Sequence, residues 1–175
     1  LTEQDLNTLR IEDVNRFDRF AAGNFSESAE NVSDIPFYGS FALPLLLLLD
    51  DDIKQNAPQV YLLYGQARSI AGGVYSLTAG FSRRKRPYTY TSEAPVSLRT
   101  DKQATNSFYA GHTAATAAAT FFLAKVYHDF NPDSPARPYI WAAAAALPVT
   151  VGYLRIRAGK HFLSDNIVGY LVGMG

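Results

Sequence analysis

Apolar side chains recur at helical spacing along most of the chain, and no segment has the strict two-residue alternation of a half-buried strand. The clearest helical pattern begins at Ala57-Pro58 and continues to about Gly80. Its apolar positions are Val60, Leu63, Tyr64, Ala67, Ala71, Val74 and Leu77. The pattern predicts an all-α protein: residues 1–175 form one domain, a single bundle of about six helices.

Start and stop residues give the expected bounds of the other helices. Asp13 favours a short helix to Phe20, and Ser33 with Asp34 favours a Leu-rich helix that ends before three consecutive aspartates. The remaining three predicted helices run from Gly111 to about Phe130, from Pro138 to a kink or end near Pro148, and from about His161 onward.

Residues 83–106 are the exception, because they are polar, contain Pro87 and Pro95 and show no period. Unstructured connections of this length are uncommon in compact domains unless they are functional. We therefore expect a long loop that crosses the mouth of the bundle.

Three runs approach membrane character: residues 36–49, 106–124 and 138–154. A helix needs about 20 apolar residues to cross a bilayer, and these runs are borderline in length or only weakly hydrophobic. The pattern favours buried helices of a soluble domain, and an integral membrane protein remains the alternative.

Composition narrows the chemistry. The chain has no cysteine, which excludes disulfides, thiolate metal sites and a cysteine nucleophile. Lys and Arg total 16, as do Asp and Glu, so there is no net positive charge to attract a nucleic acid. The basic run at residues 83–86 does not change this interpretation, and no nucleic-acid partner is predicted.

The candidate chemistry lies in three separated segments. In the last one, His161 and Asp165 share a face if both lie on one helix, so the carboxylate is expected to accept a hydrogen bond from the imidazole and fix its tautomer. The other ring nitrogen is then free as a nucleophile or a base. Arg155 precedes the turn at Gly159, and its planar guanidinium group has N–H donors that suit phosphate oxygens.

The other two segments supply the remaining parts of a phosphoryl-transfer site. Gly111 lets the backbone approach a ligand, and the N–H groups that begin its helix suit an anion. His112 is placed to donate a proton to a leaving oxygen. Arg86, followed by Pro87, adds a guanidinium charge. In contrast, His128 is expected to be a surface or helix-end residue.

These segments resemble the signatures of the PAP2 superfamily, the phosphatidic acid phosphatases type 2 and class A bacterial acid phosphatases. Arg86-Pro87 matches the end of the first motif and Gly111-His112 the end of the second. Arg155, His161 and Asp165 match the third. The resemblance implies an acid-phosphatase/haloperoxidase-like helical fold and a phosphohistidine on His161. It implies no metal or other cofactor, and an extracytoplasmic active site, periplasmic in the cell envelope.

Two positions depart from the family pattern. Ala79 stands where the family has a phosphate-binding Lys, and Ala110 where it has a Ser. Arg84 or Lys85 is a candidate replacement for the missing cation. Three functions remain open: a phosphatase acting on lipid, isoprenoid or small phosphate monoesters; a non-catalytic relative that binds phosphate or lipid; and a vanadate-dependent haloperoxidase. We predict the first function. The expected partners are a phosphate ester as the substrate and, as a further candidate, a membrane lipid surface.

Overall fold

The computed structural model describes residues 1–175 and contains eight α-helices and no strand. Five of the helices are long: α2 (Glu27–Ala42), α4 (Ala57–Ser82), α6 (Gly111–Phe130), α7 (Arg137–Arg157) and α8 (Leu163–Met174). The other three are single turns: α1 (Glu3–Leu6), α3 (Asp51–Gln55) and α5 (Val96–Arg99). The all-α fold is confirmed, with three short helices in addition to five of the predicted long ones.

Helix α6 is the centre of the bundle and contacts α2, α4, α7 and α8. Its small side chains allow close packing, above all against α8. A Cβ on Gly173 would lie 2.1 Å from the carbonyl oxygen of Ala114, and one on Gly169 would lie 2.5 Å from that of Ala110. Because only glycine fits at both places, α8 is held at backbone contact with the first half of α6.

Helix α7 continues through Pro148, where the sequence predicted a kink or an end. Proline has no N–H, so the carbonyl four residues earlier loses its helical partner. Here that carbonyl belongs to Ala144, and the hydroxyl of Thr120 on α6 donates to it at 2.9 Å. The neighbouring helix therefore supplies the hydrogen bond that the proline removes.

Two predicted helices near the N-terminus differ from the structure. The expected helix from Asp13 to Phe20 is replaced by two short 3₁₀ turns, Ile11–Asp13 and Arg19–Ala21. Helix α2 begins earlier than expected, because the Ser26 hydroxyl accepts a hydrogen bond from the N–H of Ala29 at 3.2 Å and caps it. As a result, Ser33 and Asp34 lie inside α2 and point from one of its faces.

The connection from α4 to α6 is ordered by its own contacts. The N–H of Arg86 donates to the carbonyl of Ala104 at 2.8 Å, and that of Ser107 donates to the carbonyl of Arg84 at 2.9 Å. Tyr88, Ala94 and Ala104 form a small core beneath it. The segment therefore presents Arg86 and Ser107 in fixed positions.

Two apolar helices are long and apolar enough to cross a membrane: Glu27–Leu49, which joins α2 to the following 3₁₀ turn, and Arg137–Arg157. Their apolar windows are only 22% and 28% buried. The expectation of buried helices is therefore wrong for these two, because their apolar side chains face outward. It is right for α6, whose alanines and threonines lie inside the bundle. Helix α4 also exposes apolar side chains, including Ile70, Leu77 and Phe81.

Candidate active site

His161 lies at the bottom of the site and is almost fully buried, with 1% of its surface exposed. Its Nδ1 is 2.6 Å from the carbonyl oxygen of Ser107. A carbonyl oxygen can only accept, so Nδ1 carries the proton and Nε2 keeps its lone pair. Burial lowers the pKa of His161 well below its usual value, and the positive charges of Arg86 and Arg155 lower it further. The ring is therefore neutral, as a nucleophile requires.

The expected hydrogen bond between Asp165 and His161 is not formed. Helix α8 begins at Leu163, two residues after His161, so the two residues are not one helical turn apart. Asp165 instead accepts from the backbone N–H of Phe162 at 2.8 Å and from the hydroxyl of Ser107 at 2.6 Å. It therefore acts on His161 only through Ser107, whose carbonyl holds the imidazole.

Arg84 joins Asp165 to the N-terminal segment. One guanidinium nitrogen donates to Asp165, and the other donates to Asp18 at 2.7 Å. Asp18 also accepts from the hydroxyl and the N–H of Ser164, at 2.6 and 2.9 Å. Both carboxylates are fully buried. Arg84 is thus committed to two carboxylates and does not replace the family's missing lysine.

His112 lies in the first turn of α6 and is held by two side chains of α2. Its ring stacks on Phe37 with the centroids 3.9 Å apart, and its Nε2 is 3.3 Å from Oδ1 of Asp34. Burial lowers the pKa of His112 to about 3, and the charges of Arg155 and Arg86 contribute to the shift. Without an anion in the site, His112 is therefore neutral near pH 7.

Gly111 precedes His112 at the start of α6, where no acidic side chain lies in the first turn. A Cβ at this position would lie 2.7 Å from the ring of Tyr75, so the tyrosine packs directly against the glycine. Phe37, Arg68, Tyr75 and His112 line a cavity of about 240 Å³ beside this helix start. Its walls are mostly apolar, and His112 is at its edge.

Arg86 and Arg155 are both buried, with 6% and 4% of their surfaces exposed. The Nε atom of each is buried without a hydrogen-bond partner in the protein. One terminal nitrogen of Arg155 is 3.3 Å from the hydroxyl of Ser33 and 3.9 Å from Asp34. A buried N–H without an acceptor costs about 1–3 kcal/mol, more when the group is charged. An anion that accepts from both arginines would remove that cost.

The backbone brings the three sequence segments together. The N–H of Lys160 donates to the carbonyl of Arg155 at 3.0 Å, because the chain turns at Gly159, whose φ is +71°. The N–H of Tyr88 donates to the carbonyl of Gly159 at 3.0 Å, which fixes the segment after Arg86 against this turn. The charges of Arg86 and Arg155 act on both His112 and His161, so these four side chains lie near one another. In contrast, His128 lies at the far end of α6 and accepts from Nε1 of Trp141 at 3.0 Å.

Helix α2 and Lys160 were not recognised as parts of the site from the sequence. Glu30, Ser33, Asp34 and Phe37 lie on one face of α2 and contact Lys160, Arg155 or His112. Their spacing along the helix was the only signal in the sequence, and it does not name a partner. No group of three or more His, Asp or Glu side chains is arranged to hold a metal ion.

The fold and the site together define an all-α protein with a cluster of histidine and arginine side chains. The chain belongs to the PAP2 superfamily, whose family model matches residues 58–175, and the resemblance found from the motifs is thereby confirmed. The matched family is one of phosphatases. Helix α2, which contributes four residues to the site, lies before the matched region.

Among solved structures, the chain is similar to the transmembrane PAP2-type phosphatidylglycerolphosphate phosphatase from Bacillus subtilis. The TM-score is 0.60 and the sequence identity 19%, over 99% of this chain and 82% of that one. At this identity the similarity shows a shared fold. No curated protein matches the sequence.

Proposed function

We propose that this protein is a metal-independent phosphatase that hydrolyses phosphate monoesters through a phosphohistidine on His161. The observation that carries the proposal is a buried, neutral imidazole whose Nδ1 is held by a carbonyl, beside two buried arginines with unpaired N–H groups. A nucleophile and its anion-binding cations are thus already in place before a substrate arrives.

In the first step, Nε2 of His161 attacks phosphorus, and a P–N bond forms as the P–O bond to the leaving group breaks. His112 gives its proton to the departing oxygen. Arg86, Arg155 and the N–H groups at the start of α6 bind the non-bridging oxygens. In the second step, His112 takes a proton from water, the water oxygen attacks phosphorus, the P–N bond breaks, and inorganic phosphate leaves.

Binding of the substrate phosphate is coupled to protonation of His112. The arginines lower the pKa of this histidine in the free protein. A phosphate dianion bound to the same arginines offsets their charge, so the imidazolium becomes accessible when the substrate is bound. Substrate binding therefore prepares the acid that the first step uses.

The apolar cavity beside His112 supports a hydrophobic leaving group, because the acid must lie next to the departing oxygen. The outward apolar faces of α4, α7 and the segment from Glu27 to Leu49 support membrane association. We therefore propose a lipid or isoprenoid phosphate as substrate, and a location in the cell envelope with the site on the periplasmic side. The similar Bacillus subtilis protein is described as transmembrane and as a phosphatidylglycerolphosphate phosphatase.

Phosphate release from a panel of lipid and soluble esters, by the protein in detergent micelles, tests the proposal. We expect turnover that His161→Ala abolishes, that His128→Ala leaves unchanged, and that a chelator does not reduce. No turnover in the natural sequence, with anion binding retained, would show a binding relative instead. Turnover that requires an added metal ion would refute the mechanism.

A further inference from the structure

Lys160 is a buried ammonium group directly before the proposed nucleophile. Only 8% of its surface is exposed, although lysine is rarely buried unless it is paired. Its Nζ is 2.7 Å from Oε1 of Glu30 and 5.3 Å from the ring centroid of Tyr88. An ammonium group has three N–H donors, and Glu30 accounts for one of them. The remaining donors are available to a second anion.

The contacts of Lys160 place its ammonium group beside residues that border the proposed phosphate site. Glu30 is one helical turn before Asp34, which contacts His112 and Arg155. Tyr88, on the other side of the ammonium, is two residues after Arg86. Burial lowers the pKa of Lys160, and repulsion from Arg86 and Arg155 adds to the shift, while Glu30 opposes it. The three cations are therefore close enough to repel one another, which an anion between them would relieve.

Arg84 and Lys85, the two candidate replacements for the family lysine, do not lie beside Arg86 and Arg155 in the way that Lys160 does. Arg84 is bound to Asp18 and Asp165. Lys85 is half-buried and forms no ion pair. The position of the family lysine itself is Ala79, on α4, which carries no charge. Lys160 is the remaining lysine or arginine that is buried beside Arg86 and Arg155.

We propose that Lys160 is the third phosphate-binding cation of the site and that Glu30 holds it there. Phosphoryl transfer spreads negative charge over three equatorial oxygens. Arg86, Arg155 and Lys160 would supply one cation for each of them. Glu30 keeps the ammonium in place in the free protein and retains one of its N–H groups when the anion binds. This inference rests on the proposed phosphatase site, and it assigns to the chain a substrate-binding residue at a position that the third motif, from Arg155 to Asp165, leaves unspecified.

Vanadate affinity, measured by calorimetry, tests the inference without requiring turnover. Lys160→Met should weaken vanadate binding about tenfold or more, since a charge-assisted hydrogen bond is lost. Lys160→Arg should retain most of the affinity because it keeps the charge. Lys125→Met, which removes an exposed lysine paired with Asp129, is the matched control and should leave the affinity unchanged.

Glu30→Gln separates a phosphate-binding lysine from a structural ion pair. Removing a carboxylate near the site should strengthen vanadate binding several-fold, because the anion is no longer repelled. If the Lys160–Glu30 pair is only structural, both variants lower the melting temperature and neither Lys160→Met nor Glu30→Gln changes the vanadate affinity of the folded fraction. That result would overturn the inference.

Turnover by the same variants distinguishes this inference from the proposed function. With a phosphatase, Lys160→Met should lower kcat/KM on an aryl phosphate about tenfold or more while circular dichroism shows native helix content. If the natural sequence has no turnover but Lys160→Met still weakens vanadate binding, the phosphatase proposal fails and the assignment of Lys160 stands. If turnover depends on His161 but both kcat/KM and vanadate affinity survive Lys160→Met, the assignment fails alone.

Discussion

Nε2 of His112 lies 3.3 Å from Oδ1 of Asp34, so a histidine of one family motif is held by a helix that precedes the matched region. The carboxylate is on the face of α2 that also carries Phe37, whose ring stacks on the imidazole. His112 is therefore fixed from two directions by residues separated by one helical turn. This arrangement orients the ring and places a carboxylate where it can stabilise the imidazolium once a bound anion offsets the charges of Arg155 and Arg86.

Asp34→Asn should slow the proposed phosphatase on an alkyl phosphate by about tenfold, because the imidazolium loses a carboxylate partner. An activated aryl phosphate needs no proton on its leaving oxygen, so its kcat should change little. Steady-state rates on the two esters provide the test, with Asp129→Asn as a surface control. An equal loss on both esters would mean that Asp34 does not act through the acid.

Binding of an oxyanion should cause uptake of a proton by His112. In the free protein its pKa is about 3, so the ring is neutral near pH 6. An anion that offsets the charges of Arg155 and Arg86 raises this pKa, and a proton is then taken from the solution. Sulfate is a suitable probe because it remains a dianion near neutral pH.

Calorimetric titration of sulfate in two buffers with different ionisation enthalpies measures this uptake. His112→Asn should bind sulfate with less proton uptake than the natural sequence. Identical uptake in both proteins would assign the proton to another group.

Stability should fall as the pH is lowered through the range in which an exposed histidine becomes protonated. The pKa of His161 is well below 6.5 in the folded protein, whereas the unfolded chain binds a proton near that value. Below pH 6.5 the unfolded state therefore binds more protons, and the folded state loses up to about 1.4 kcal/mol per pH unit from this residue. At pH values above 6.5 this contribution to stability is complete.

His161→Asn should reduce that dependence on pH, whatever its effect on stability at neutral pH. Denaturant unfolding at several pH values below 6.5 compares the two slopes. Parallel slopes would mean that His161 is protonated in the folded state.

Arg84→Met should destabilise the protein by about 3 kcal/mol, because it leaves two buried carboxylates without their shared cation. The neighbouring Arg83 has an exposed side chain, so Arg83→Met should cost no more than about 0.5 kcal/mol. Thermal and denaturant unfolding measure the difference. Equal stabilities of the two variants would show that Arg84 does not hold Asp18 and Asp165 together.

Helices whose first residues carry a local start signal were predicted from the sequence. Pro58 and Gly111 stand at the starts of α4 and α6, and the apolar spacing after them continues to the observed ends. The continuation of α7 through Pro148 was not predictable, since it depends on the hydroxyl of Thr120 on another helix. A proline predicts the loss of one helical hydrogen bond, but the sequence around it does not show which residue of another helix replaces that bond.

The histidines and arginines of the site were identified because they occur in recognisable motifs. Their partners were not, since these come from distant parts of the chain: Ser33 contacts Arg155 across 122 residues, and Asp18 contacts Arg84 across 66. The interpretation of Asp165 was wrong in one respect because it assumed that His161 lies on α8. The helix begins two residues later, which turns the carboxylate toward Ser107 and Phe162.

The hydrogen bond from His161 to the carbonyl of Ser107 has a consequence for regiochemistry. Histidine has two nitrogens on which a phosphoryl group can reside, and the two phosphoramidates are distinct isomers. With Nδ1 occupied by the carbonyl, the ring has only Nε2 to offer. A covalent adduct trapped by alkaline quenching would accordingly be a single isomer, set by a backbone atom of residue 107 that no side-chain substitution removes.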